Sequence, residues 1–101
     1  MTDPAHHGFT VRVLRETATE RGWRYVVEIS RESGETTTHT MTLGWRDHDY
    51  WCGGAAAPSL VVQRILEYVL AHRWEALPSE FDAARARRWL PRIDEDLRHA
   101  A

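Results

Sequence analysis

The stretch 58–74, PSLVVQRILEYVLAHRW, constrains the fold more than any other part of this sequence. On a helical wheel Val61, Val62, Ile65, Leu66 and Val69 share one broad apolar stripe, with Gln63, Arg64, Glu67 and Ala71 opposite. Pro58 suits a first helical turn, where its missing N–H costs nothing, and His72-Arg73 suits the negative end of the helix dipole. A rod that is apolar on one side needs an apolar layer beneath it. The preceding residues supply one.

Three segments alternate with a period of two. In 9–16, Phe9, Val11 and Val13 oppose Thr10, Arg12 and Leu14. In 23–30, Trp23, Tyr25, Val27 and Ile29 oppose Arg24, Val26, Glu28 and Ser30. In 37–43, His39, Met41 and Leu43 oppose Thr38, Thr40 and Thr42. This period, with β-branched and aromatic content, predicts half-buried strands. Residues 17–22 and 32–35 have turn composition, each with a glycine available for a positive φ. Turns this short join antiparallel neighbours. The expectation is α+β: a three-stranded antiparallel meander covered by one long helix, with a short helical turn before that helix and a C-terminal helix after it.

The remaining boundaries follow from local chemistry. Residues 1–8 are expected to form a polar lead-in, 9–43 the meander, 58–74 the main helix and 82–90 a C-terminal helix, within one domain of 101 residues. Asp47 to Cys52 reads as the short turn, ended by a left-handed Gly53. Ser79 or Asp82 can cap the last helix, and Pro91 ends it or opens a further turn through Ile93 and Leu97. Leu60, Leu70 and Trp74 fall off the main stripe and call for a second partner, expected in Phe81, Ala84, Trp89, Leu90 and Ile93.

A net charge of -2 points to no partner class. All 13 basic residues are Arg, which reads as genome composition more than as chemistry. One cysteine excludes an internal disulfide, no apolar run is long enough to span a bilayer, and Met1 to His7 does not read as a secretion signal. The expected compartment is the cytoplasm.

Chemistry-bearing residues concentrate in GWRDHDYWCGG, 44–54. Asp47, His48 and Asp49 are candidate metal ligands or bases, and His48 stands four residues before Cys52, the spacing of an activated thiol on one helical face. No third orienting group is in view, and adjacent residues diverge, so aromatics closing one end of the core are the simpler reading. Arg85, Arg87, Arg88 and Arg92 form the only basic cluster, with Asp94-Glu95-Asp96 placed to neutralise it.

The second half resembles a pattern found in short prokaryotic α+β proteins. The matching residues are Tyr50, Gly53-Gly54, Pro58-x-x-Val61, the run Ile65 to Arg73, Phe81-Asp82 and Trp89-Leu90-Pro91. In those proteins a proline-started helix ends in a Leu-Leu-Glu-Arg-like tetrad, a Phe-Asp step follows, and a Tyr-Phe-Pro-like tripeptide closes the pattern. Here Ala71-His72 replaces the Glu of the tetrad and Trp89-Leu90 replaces the Tyr-Phe pair. The resemblance implies the fold and no activity, since none is assigned to that family.

Three functions remain open on these residues. The first is a non-enzymatic protein–protein interaction or regulatory module, a homodimer among its forms, with Trp45, His48, Tyr50, Trp51, Arg85 and Arg88 as partner contacts and no cofactor or metal. The second is nucleic-acid binding by the sheet face or the Arg cluster. The third is an enzyme using His48 and Cys52.

Overall fold

A computed structural model describes residues 8–52, 56–72 and 77–100. Strands β1 (Phe9–Thr19), β2 (Gly22–Arg31) and β3 (Thr36–Gly44) run as an antiparallel meander. Helices α1 (Trp45–Cys52) and α2 (Pro58–His72) follow, then a short strand β4 (Glu80–Asp82), a 3₁₀ turn (Ala83–Arg85), α3 (Ala86–Trp89) and α4 (Ile93–Ala100). The sheet has the order β1-β2-β3-β4, and β4 pairs parallel to β3.

The alternation places the core where the sequence predicts it. Phe9, Val11, Tyr25, Val27, Ile29, Met41 and Leu43 are buried on one sheet face, and Val61, Val62, Ile65, Leu66 and Val69 are buried on α2. Each such side chain contributes about 1.5–3 kcal/mol on leaving water. His39, also on the covered face, is satisfied by hydrogen bonding: its Nδ1 lies 2.7 Å from the Pro78 carbonyl oxygen and its Nε2 2.9 Å from the Thr37 hydroxyl. A carbonyl only accepts, so Nδ1 carries the proton.

The meander is three strands of a four-stranded mixed sheet. Residues 80 and 81 were expected in a connector and Asp82 at the start of the last helix, but Phe81 pairs with Met41 and is buried while Glu80 and Asp82 stay exposed. Three residues are too few to show a period, and a parallel partner about forty positions away leaves no local signal. The C-terminal helix expected over 82–90 is divided. Asp82 caps a 3₁₀ turn, its Oδ1 accepting from the Ala84 amide at 2.9 Å, and only Ala86–Trp89 is α-helical before Pro91. Pro91 follows the end of α3, as expected, and the alternative of a further turn beyond it is met by a full helix, α4. The short turn before α2 is likewise an eight-residue helix, α1.

β1 extends past its predicted end and carries a bulge. Val13 pairs with Val27 and Arg15 with Val26, so Leu14 is the extra residue and is 47% exposed. Insertion of one residue inverts the parity of the rest of the strand. Glu16 is thereby placed on the covered side, where its Oε1 accepts from the Tyr25 hydroxyl at 2.6 Å. Burial and this carboxylate together raise the Tyr25 pKa well above its ordinary value.

The two hairpins use their glycines differently. Gly34 adopts φ +94°, as a turn glycine does. Gly22 has no positive φ; it is pressed against β3, where a Cβ would stand 2.1 Å from the Leu43 carbonyl oxygen and 2.8 Å from the Gly44 Cα. Gly22→Ala is therefore expected to lower stability by about 1–3 kcal/mol, read by urea titration, because rigid backbone has to give. A neutral effect would mean that this close approach is absent in solution.

Among the remaining helix-edge residues, Leu70 packs against the core but Leu60 is 40% exposed, contrary to its expected contact with the C-terminal segment. Of the expected partners, Phe81 and Ile93 are buried in the core and Trp89 and Leu90 pack against it, whereas Ala83 and Ala86 are buried in place of Ala84. Tyr68 joins α2 to α4 by donating to Asp96 Oδ2. Burial, followed by that hydrogen bond, pushes the Tyr68 pKa up to about 12. The lead-in through His7, Gly53 and the helix end at Arg73-Trp74 lie outside the described residues.

Candidate functional site

α1 starts where β3 ends. Its first amide, Trp45 N–H, donates to the Arg21 carbonyl at 2.8 Å, which fixes the helix to the β1–β2 loop. From that start, helical spacing carries Asp47, Tyr50 and Trp51 to one side at i, i+3 and i+4.

Arg87 of α3 inserts there. Its Nη1 donates to Asp47 Oδ1 at 2.7 Å, and its Nε donates to Asp94, 2.8 and 3.0 Å from the two carboxylate oxygens. Its Cζ stands 4.4 Å from the Trp51 ring centroid and 4.9 Å from that of Tyr50, within cation–π range. The Trp51 indole N–H donates to the same Asp94 Oδ1 at 2.6 Å. Burial works against the Arg87 charge, yet hydrogen bonds to Asp94 and Asp47 and their negative charge raise its pKa above the ordinary value. A planar fork suits two carboxylates and two ring faces at once; a lysine ammonium does not. This node joins α1, α3 and α4, and its cation is committed within the protein.

Beside it lies an open cleft of about 500 Å³ lined by Arg21, Gly44, Trp45, Arg46 and Asp47. Asp47 is already paired with Arg87. The Arg21 and Arg46 side chains make no hydrogen bond or ion pair among the described residues. Trp45 is 54% exposed and Tyr50, on the same helix, 50%. The cleft thus offers two guanidinium groups and an indole wall, a combination suited to a carboxylate carried next to an apolar group.

The structure divides the sequence-derived contact residues. Trp45 and Tyr50 are exposed on α1. Arg85 and Arg88 are exposed on the 3₁₀ turn and α3. His48 is half-buried, with Nε2 2.7 Å from the Ala56 carbonyl oxygen and its ring edge-on to Trp23. Trp51 is only 3% exposed, so its ring belongs to the core and presents no surface to a partner. Its helical phase turns it towards α4. The side chain of Cys52 lies outside the described residues. Of the acidic run expected to neutralise the arginine cluster, Asp94 pairs with Arg87 alone of the four arginines, while Asp96 accepts from the neutral Tyr68 hydroxyl.

Sequence reasoning missed Arg21 and Arg46. They meet only because Gly22 pairs with Gly44, which brings the loop of one hairpin to the start of α1. Asp47-x-x-Tyr50-Trp51 did carry a legible signal, a helical triplet of one acid and two aromatics that suits a guanidinium.

Among the described residues, no helix is long and apolar enough to cross a membrane, and no three His, Cys, Asp or Glu side chains are grouped as metal ligands. Comparison with known protein families, with curated proteins and with solved structures finds no match.

Proposed function

We propose that this chain is a non-enzymatic protein-binding module whose docking surface is the start of α1 with the β1–β2 loop. The observation that carries the reading is Trp45, 54% exposed at the start of α1, in one cleft with the uncommitted cations Arg21 and Arg46. Trp, Tyr and Arg are the residue types that dominate binding energy at protein interfaces. Charge complementarity selects the partner chemistry: an acidic segment with an apolar side chain next to its carboxylate, the carboxylate between the two guanidinium groups and the apolar group on the Trp45 indole.

Nucleic acid is the weaker alternative. Arg87 is withdrawn from the basic cluster into the node, and the open sheet face bears Glu28, Glu80 and Asp82 with no aromatic ring to stack on bases.

Panning random dodecapeptides against the full chain tests the reading. Acidic sequences with an apolar neighbour are expected to be enriched. Fluorescence anisotropy on an enriched peptide is expected to show binding weakened at least about tenfold by Trp45→Ala or Arg46→Glu. No acidic bias, or equal binding by both variants, would sink it. Oligonucleotides that bind at low salt while peptides fail would favour the alternative.

A further inference from the structure

The described helices pack on one face of the sheet, and among the described residues no element covers the other, where Arg24, Val26, Thr40, Thr42, Glu80 and Asp82 all stay out of the core. The register orders this face into rows across the strands. One row reads Thr17, Arg24, Thr42, Asp82; the next reads Arg15, Val26, Thr40, Glu80. Both run from a cation on the β1–β2 side to a carboxylate on β4. The bulge at Leu14 puts Arg15 in its row, since without it an even-numbered residue would stand there. Arg15, Arg24 and Glu80 make no side-chain hydrogen bond or ion pair among the described residues. Elsewhere on the face Arg12 stands 3.6 Å from Glu28, while Asp82 accepts from the Thr42 hydroxyl at 2.8 Å and keeps its charge without a cation among the described residues.

From these rows we infer that the uncovered face is a self-association surface whose occupant is a second copy of this chain. Three strand spacings, about 14 Å, separate β1 from β4. A two-fold axis parallel to the strands and running between β2 and β3 lays β1 of one copy over β4 of the other. Arg15 of one copy then stands over Glu80 of the other, and Arg24 stands beside Asp82, each contact made twice. Val26 and Thr40 lie near the axis. Sheets stacked face to face sit about 10 Å apart, a gap an arginine and a glutamate side chain span together. A two-fold perpendicular to the strands lays the basic side on a basic side, so charge selects the first arrangement. The face is narrow and lightly apolar, which makes the dimer a weak one that salt dissociates. The inference is independent of the α1 site.

Sedimentation velocity on the full chain over a concentration series in low and high salt tests it. The wild type is expected to form a dimer that salt weakens. Arg15→Glu combined with Arg24→Glu, and separately Glu80→Arg, are each expected to raise the dimer dissociation constant at least about tenfold. Far-ultraviolet circular dichroism checks that these exposed substitutions keep the fold. An equimolar mixture of the two variants is expected to recover a heterodimer, because the reversed charges face one another across one of the two contacts. A strictly monomeric wild type, dimers indifferent to either variant, or two folded monomeric variants that fail to pair on mixing would each overturn the inference.

Discussion

Phe81→Ala is expected to lower the free energy of unfolding by about 3–5 kcal/mol, the range for emptying a buried aromatic site. Phe81 is 5% exposed, pairs with Met41 across the parallel contact and stacks at a tilt on Trp89, with ring centroids 5.4 Å apart. Its flanking residues on β4 are exposed, so nothing else in that strand replaces the lost burial. Equilibrium urea unfolding measures the change, with constant slope as the sign that the unfolded reference is unaltered. A loss below about 1 kcal/mol would mean that β4 is not packed as described.

The second large effect is at the node. Arg87→Ala leaves Asp47 and Asp94 facing each other without a cation and removes a donor from each. Breaking a buried pair in this way costs about 3–5 kcal/mol; with these side chains between 21% and 29% exposed, about 2–4 kcal/mol is expected. Arg87→Lys is expected to recover little, because one ammonium cannot serve both carboxylates and both ring faces. Adding Asp47→Asn and Asp94→Asn to the alanine variant is expected to return part of the loss, since much of the penalty is stranded negative charge. Urea titration of all four proteins decides it. A lysine variant as stable as the wild type would remove the argument from fork geometry.

The readable part of this sequence is the part governed by period. Alternation over Trp23 to Ser30 and the stripe from Val61 to Val69 each report one buried side, and burial follows from them directly. The unread part depends on contacts between distant residues. Leu14 looks like any outward residue of an alternating strand until the register to Val26 is known. Phe81 looks like a helix neighbour until β3 is placed beside it. In the arginine cluster, the change from 3₁₀ turn to α-helix after Arg85 shifts the phase of the side chains, so composition cannot single out Arg87 as the one that turns inward. The α1 site was half legible: Trp45 and Tyr50 stood out as surplus aromatics, whereas Arg21 and Arg46 depend on how one hairpin loop meets the end of another strand.

The parallel contact between β3 and β4 bears on the order of assembly. The meander closes through two short loops, each joining segments that are near neighbours along the chain. The β3–β4 ladder must instead enclose about forty residues, and such closure carries a larger entropic cost than a hairpin. It is therefore expected to form after the hairpins and to open before them in the native state. In hydrogen exchange the amide of Thr40, which donates to the Ser79 carbonyl at 2.8 Å, is expected to exchange faster than the amides paired between β2 and β3.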